Sequence, residues 1–129
     1  MRFLVDTHIF LYLINAENKL DEHIIKTLEN PKNTINLSIA SLWEIVVKIN
    51  IGKLPITRNI NELYKLITEA NIVVLNIRKQ HLDTYIKLPL IHKDPFDRLI
   101  ISQAIADDLT LITDDQYIRN YPNLKLFQQ

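Results

Sequence analysis

HKDPFDRLIISQAIADDLTLITDD, residues 92–115, is the stretch that decides the fold. Asp94-Pro95 reads as a helix start. Proline suits the first helical position, where no N–H partner is needed, and the preceding Asp can cap the free backbone donors. The helix this predicts runs over 95–106 and feeds a short apolar run at 110–113. That run lacks the strict polar alternation of a half-exposed strand, so it reads as a parallel strand covered on both faces. Two acids, Asp114 and Asp115, follow it directly.

The same alternation holds outward from this unit. Residues 3–5, 34–37, 72–75 and 124–127 read as further strands, all short and without strict polar alternation. Between them lie helical patterns. Residues 21–30 open with a capping Asp21. Residues 59–70 place Ile60, Leu63, Leu66, Ile67 and Ala70 on one face. SIASLWEIVVK, 38–48, is capped by Ser38. Alternating strands and helices predict βαβ units with right-handed crossovers, hence an α/β fold with a small, mostly parallel sheet. Ligands in such folds bind outside the carboxyl ends of the strands, and Asp6, Asp114 and Asp115 stand at two of those ends.

The chain has 129 residues, 47% hydrophobic and 23% charged, which predicts one globular domain over 1–129. No apolar run reaches the roughly 20 residues of a membrane span. The start MRFLVDTHIF, with Arg2 and Asp6 in it, does not read as a signal peptide, so a cytoplasmic location is expected. Without Cys there is no disulfide, thiolate metal site or Cys nucleophile. Gly52 is the only glycine, which excludes dinucleotide fingerprints, P-loops and nucleophile elbows, all of which need several close together. Phosphate chemistry here must rest on cations or basic side chains. With 15 basic and 15 acidic residues the net charge is zero, which argues against a nucleic-acid-coating protein but not against a nuclease with an acidic pocket.

Each acid has an ordinary explanation taken singly. Asp6 can cap a helix starting at Thr7. Glu44 can pair with Lys48 one turn on, although Ser41, Glu44 and Lys48 form the only polar stripe on a very apolar helix, which is expected to be covered on most sides. Asp94 and Asp97 fit a capping box. One of Asp114 and Asp115 can cap a short helix over 116–119, leaving the other free. Together the acids converge on one crevice, where like charges repel, and the usual resolution is a hard divalent cation, Mg²⁺ or Mn²⁺. His8 and His92 adjoin these acids and read first as locally hydrogen-bonded. His23 and His81 read as surface or boundary positions in amphipathic helices. Trp43 reads as core, with a partner-facing surface including Val47 as the second reading. Lys48, Lys53, Lys93 and Arg98 are candidates to line a substrate path beside the acids.

FLVDTH (3–8), SIASLWEIVVK (38–48), HKDPFDRLIISQA (92–104) and LTLITDDQY (109–117) resemble, in order, the acidic motifs of PIN-domain ribonucleases, in particular VapC-type toxins. The resemblance spans nearly the whole chain. It implies a three-layer fold with a five-stranded sheet of order 3-2-1-4-5, and a Mg²⁺-dependent endoribonuclease leaving 5′-phosphate and 3′-hydroxyl ends. It implies Asp6, Glu44, Asp97 and Asp115 as the catalytic acids, with Asp6, Asp97 and Asp115 holding the metal. Thr7, Thr113, Asp94 and Asp114 would support them. The implied partners are an RNA substrate such as transfer or ribosomal RNA, a cognate antitoxin and a second copy of the chain. Two other functions stay open: a non-catalytic PIN-like RNA-binding module, and a Mg²⁺-binding receiver-like phosphoacceptor. The latter needs an acid at the end of its third strand, where this chain has Leu75-Asn76-Ile77.

Overall fold

The computed structural model describes residues 1–15, 20–54 and 59–127. Its elements run β1 (Arg2–Val5), α1 (Thr7–Ile14), α2 (Glu22–Glu29), β2 (Thr34–Ser38), α3 (Ile39–Asn50), α4 (Ile60–Glu69), β3 (Val73–Leu75), α5 (Lys79–Lys87), α6 (Pro95–Ala106), β4 (Thr110–Ile112) and β5 (Lys125–Leu126). A 3₁₀ turn, Ile118–Asn120, lies between the last two strands. The sheet order is β3-β2-β1-β4-β5, and all four pairings are parallel. This is the order expected, and it differs from the 2-1-3-4-5 order of receiver-like folds. No described helix is long and apolar enough to cross a membrane.

Strand alternation splits the core into two. Phe3 and Val5 of β1, with Ile35, Leu37 and Ile112, face α1 to α4, meeting Phe10, Ile24, Ile45 and Leu63. Leu4 and Leu111 point the other way, onto Ile100, Ile101 and Ala104 of α6, and α5 packs against α6. Both faces are therefore buried, which is why the strands are continuous apolar runs. The edge strands are shorter than the sequence predicts. β3 starts at Val73, not at residue 72, and β5 covers only Lys125–Leu126, since an edge strand has a ladder on one side alone.

Several helices stop without the glycines such ends usually need. At the end of α3, Gly52 adopts φ 70°. Its N–H bonds the Ile49 carbonyl at 3.1 Å, and the Lys53 N–H bonds the Lys48 carbonyl at 2.9 Å, a Schellman ending. Asn71 and Asp108, both at φ 56°, close α4 and α6 the same way. The short polar side chains of Asn and Asp tolerate this left-handed conformation. A chain with one glycine can thus still turn α4 and α6 back into the sheet.

Two expectations are corrected. α3 is not covered on most sides: Trp43 is 62% exposed, and Val46, Val47, Ile49 and Ile51 are also exposed. Only Ala40, Ser41, Leu42, Glu44 and Ile45 are buried on it, so Trp43 is not a core residue. His81 is fully buried, not at the surface. Its Nδ1 accepts the Arg78 backbone N–H at 2.9 Å, and its Nε2 lies 3.0 Å from Asp107, so it caps α5 and ties it to the end of α6.

Leu4 sits at the centre of the sheet with no exposure. Leu4→Ala is expected to cost about 2–5 kcal/mol, read as a lower urea midpoint at unchanged slope. A loss below about 1 kcal/mol would contradict this placement of β1 in the core.

Candidate active site

The β1–β4 pairing brings two chain segments to one edge of the sheet. Val5 is in register with Ile112, so the next residues, Asp6 and Thr113, emerge side by side. The Asp6 N–H bonds the Ile112 carbonyl at 3.1 Å and extends the ladder to that point. Asp6 is 2% exposed. One carboxylate oxygen accepts the Ile9 N–H at 2.8 Å and caps α1; the other accepts the Thr113 hydroxyl in a short hydrogen bond. The Thr113 Oγ1 also accepts the Asp115 N–H at 3.1 Å, so one hydroxyl links the two acidic segments. Thr7 donates to Ser41 Oγ at 2.9 Å and joins the start of α1 to α3.

On α3 the polar stripe turns inward, as a wet internal site requires. Glu44 is 7% exposed. Its Oε2 pairs with Lys48 at 3.2 Å, whereas its Oε1 is buried and has no hydrogen-bond partner among the described residues. α6 supplies the third side. Asp94 caps it, accepting the Phe96 N–H at 2.8 Å and the Asp97 N–H at 3.4 Å. The expected reciprocal half of the capping box does not form. The Asp94 N–H goes to His92 Nδ1, and Asp97 turns outward to His92 Nε2 at 3.1 Å. Asp115 lies on the far side of that ring, its Oδ2 at 3.3 Å from Nε2 and its Oδ1 accepting the Tyr117 N–H at 2.9 Å.

Ligand atoms of His92, Asp97 and Asp115 all fall within 4.8 Å of one another. Glu44 and Asp94 stand close enough for their charges to act on Asp97. Asp6 is not in this group. It belongs with the exposed Asp114, whose charge acts on it, while Asp115 goes with Asp97. The chain order alone left that division open. His92, expected to be locally hydrogen-bonded, accepts the Asp94 N–H and in addition reaches Asp97 and Asp115. Arg98 does not line an RNA path: it is buried, stacked on Tyr85 and bonded to the Pro89 carbonyl at 2.9 Å. Lys48 and Lys93 do line an open cleft with Glu44, Asp94 and Phe96.

Burial pushes the Asp6 carboxyl up to about 6, against smaller downward pulls from Thr113, the Ile9 N–H and His8. Burial likewise raises Asp97 to about 6, with Asp94, Glu44 and Asp115 adding repulsion and His92 opposing it. The donors are mainly carboxylate oxygens, several of them crowded and one, Glu44 Oε1, without a partner. This set fits a hard divalent cation, which compensates such charge with oxygen ligands.

A parallel three-layer α/β domain with a carboxylate crevice at the ends of β1 and β4 is an architecture suited to hold a hard cation. A family model for the PIN domain matches residues 3–124. The chain belongs to the PIN domain family. Comparison with curated proteins finds no match. Among solved structures the chain is similar to VapBC2 from Rickettsia felis bound to a DNA fragment from its promoter, with 24% identity and a TM-score of 0.76 over 100% of this chain and 99% of that one. It also resembles VapBC-1 from nontypeable Haemophilus influenzae, at 22% identity and TM-score 0.69 over 99% and 98%. DNA-bound VapBC from Salmonella typhimurium follows at 18% and 0.71 over 98% and 97%. At these identities the likeness establishes the shared fold.

The raised carboxyls set a pH dependence. Folded Asp6 and Asp97 keep their protons up to about pH 6, while the unfolded chain releases them near 3.8. Between those values the native state binds more protons, so the contribution of these two groups to stability is fully present below about pH 4 and is lost as pH rises through about 6. Asp6→Asn keeps an oxygen for the Ile9 N–H. In EDTA at pH 7 it is expected to melt higher than wild type, by on the order of 2 kcal/mol, with the gain vanishing at pH 4. An equal gain at both pH values would remove ionisation as its cause.

Proposed function

We propose that this chain, as a single domain over 1–129, is a Mg²⁺-dependent endoribonuclease, with Mn²⁺ as a substitute ion. In this reading it is the toxin of a type II toxin–antitoxin pair, acting in the cytoplasm on RNA such as transfer or ribosomal RNA. Membership of the PIN domain family supports the nuclease part. The observation that carries it is the buried, unpartnered Glu44 Oε1 beside the converging carboxylates of Asp97 and Asp115. An oxygen left in that state costs on the order of 1–3 kcal/mol or more when charged, which a protein tolerates where a ligand completes the site.

Asp6, Asp97 and Asp115 are the residues assigned to hold the cation. When bound, the ion supplies a water of lowered pKa and polarises the scissile phosphate. Glu44 would orient or deprotonate the attacking water, directly or through a ligand of the cation, its Oε1 being the oxygen left over for that role. Thr113 holds Asp6 through its hydroxyl and fixes the Asp115 backbone through its oxygen. Thr7 anchors α1 to α3 through Ser41. Asp94 sets the start of α6 and so the aim of Asp97. Asp114 adds negative charge near Asp6 at the rim. Lys48 and Lys93 line the cleft where a phosphodiester backbone approaches. No residue forms a covalent intermediate, and hydrolysis leaves 5′-phosphate and 3′-hydroxyl ends.

One solved structure similar in fold is a toxin–antitoxin complex from Klebsiella pneumoniae, and three others are VapBC assemblies. This supports a cognate antitoxin for the present chain, and family analogy supports a homodimer. The exposed apolar groove of Trp43, Leu82, Tyr85, Phe96 and Leu99 beside the acidic cleft supplies partner surface. Cleavage of a panel of transfer and ribosomal RNAs tests the activity. Site-limited cutting in Mg²⁺ or Mn²⁺ is expected, abolished by EDTA and lost by at least about 100-fold in Asp6→Asn. Cutting that persists in Asp6→Asn, or metal-loaded protein that cuts no RNA, overturns it.

A further inference from the structure

We propose that His92 is a positioning residue of the acidic site, a neutral clamp that holds Asp97 and Asp115 together by one N–H without itself ligating the cation. The inference rests on the reading of this site as a cation-dependent nuclease centre. It starts from the tautomer. A backbone N–H can only donate, so the Asp94 N–H at 3.1 Å from His92 Nδ1 requires that nitrogen to be unprotonated. The proton of the neutral ring is then on Nε2, which faces Asp97 Oδ2 at 3.1 Å and Asp115 Oδ2 at 3.3 Å. For Nε2 to bind a cation the proton must move to Nδ1, against the Asp94 N–H. The ring is built to donate to these carboxylates.

The clamp is also held in place. The His92 N–H donates to the Tyr121 hydroxyl at 2.7 Å. Arg98, buried beneath it, bonds the Pro89 carbonyl at 2.9 Å and reaches the His92 carbonyl and the Tyr121 hydroxyl at 3.4 Å. The ring stands edge-on to Tyr117 at 6.2 Å between centroids. A donor fixed from backbone and both ring nitrogens does not step aside when a cation arrives. It bonds one oxygen of Asp115 and stands 3.1 Å from one oxygen of Asp97. The Tyr117 N–H takes the other oxygen of Asp115, and no described residue bonds the other oxygen of Asp97. Asp97 therefore keeps an oxygen for a cation, alongside Glu44 Oε1. Hydrogen-bond donors behind ligating carboxylates typically change metal affinity by about 10–100-fold when removed.

The test is Mn²⁺ binding by the full chain, followed through the electron paramagnetic resonance signal of free Mn²⁺, with melting temperatures measured alongside. His92→Phe keeps the ring against Tyr117 and loses the donor; His92→Ala is the second donor-free variant. His92→Gln restores an N–H donor of similar reach. Asp97→Asn reports on the site itself. Wild type is expected to bind Mn²⁺ and Asp97→Asn to lose binding. His92→Phe or His92→Ala should bind about 10–100-fold more weakly, His92→Gln close to wild type, and pulsed spectra should show no directly bound imidazole nitrogen. Unchanged or tighter binding in the donor-free variants means that the cation displaces His92, and overturns the clamp. Nitrogen coupling to Mn²⁺ makes His92 a ligand and overturns it too. Equal weakening in His92→Gln, with lowered melting, reduces His92 to a structural role. Wild type and Asp97→Asn binding alike removes the cation centre, and the clamp with it.

Discussion

Buried and half-buried carboxylates crowd one sheet edge, where burial and, for Asp97, the charges of Asp94, Glu44 and Asp115 act against ionisation, so the arrangement depends on the donors that face them. The hydroxyl of Thr113 is the pivot. It donates to Asp6 and accepts from the Asp115 backbone, so it joins the end of β1 to the loop after β4. Without such donors, burial of an ionised carboxylate is prohibitive and the group takes up a proton. The raised carboxyls of Asp6 and Asp97 record that this compensation is incomplete in the protein alone. An incomplete balance of this kind is a site that favours a cation.

The scaffold around it is organised to keep those groups from relaxing. Val5 and Ile112 lie in register at the centre of a sheet buried on both faces, so Asp6 and Thr113 cannot separate without disturbing the core. α6 is fixed at its start by Asp94 and at its end by the left-handed Asp108. Beneath the 88–94 segment, Arg98 spends its charge on backbone carbonyls and the Tyr85 ring. Its burial therefore serves the aim of His92 and, through it, of Asp97 and Asp115.

Opposite in character is the outer half of α3, where Trp43 and Val47 lie open to solvent together with Leu82 and Ile86 of α5. The helix carries two surfaces because its sequence has few polar residues: Glu44 and Lys48 line the acidic cleft, Ser41 bonds Thr7, and the apolar residues divide between core and exterior. The single tryptophan meets Phe96 edge-on at 5.2 Å between centroids, so the apolar surface begins directly at the rim of the cleft. Anything that covers that surface also approaches the acids.

Much of this was legible from the chain. Strand and helix alternation fixed the α/β class, because the periods of 2 and 3.6 are local properties of the backbone. Asp6, Ser38, Asp21 and Asp94 each cap the helix that follows, as their positions predicted, since a cap depends only on residues two or three apart. The gathering of acids at the carboxyl ends of β1 and β4 followed from the fold class. What the chain could not disclose was how neighbours divide. Asp94 and Asp97 part company because the Asp94 N–H is drawn to His92, and Asp114 and Asp115 because only the second faces Asp97. His81, Arg98 and Trp43 were misjudged for the same reason. Burial of a polar or aromatic side chain is decided by which distant segment packs on it, here α6 on α5 and the tail at Tyr121 on the 88–94 segment, and no local period encodes that meeting.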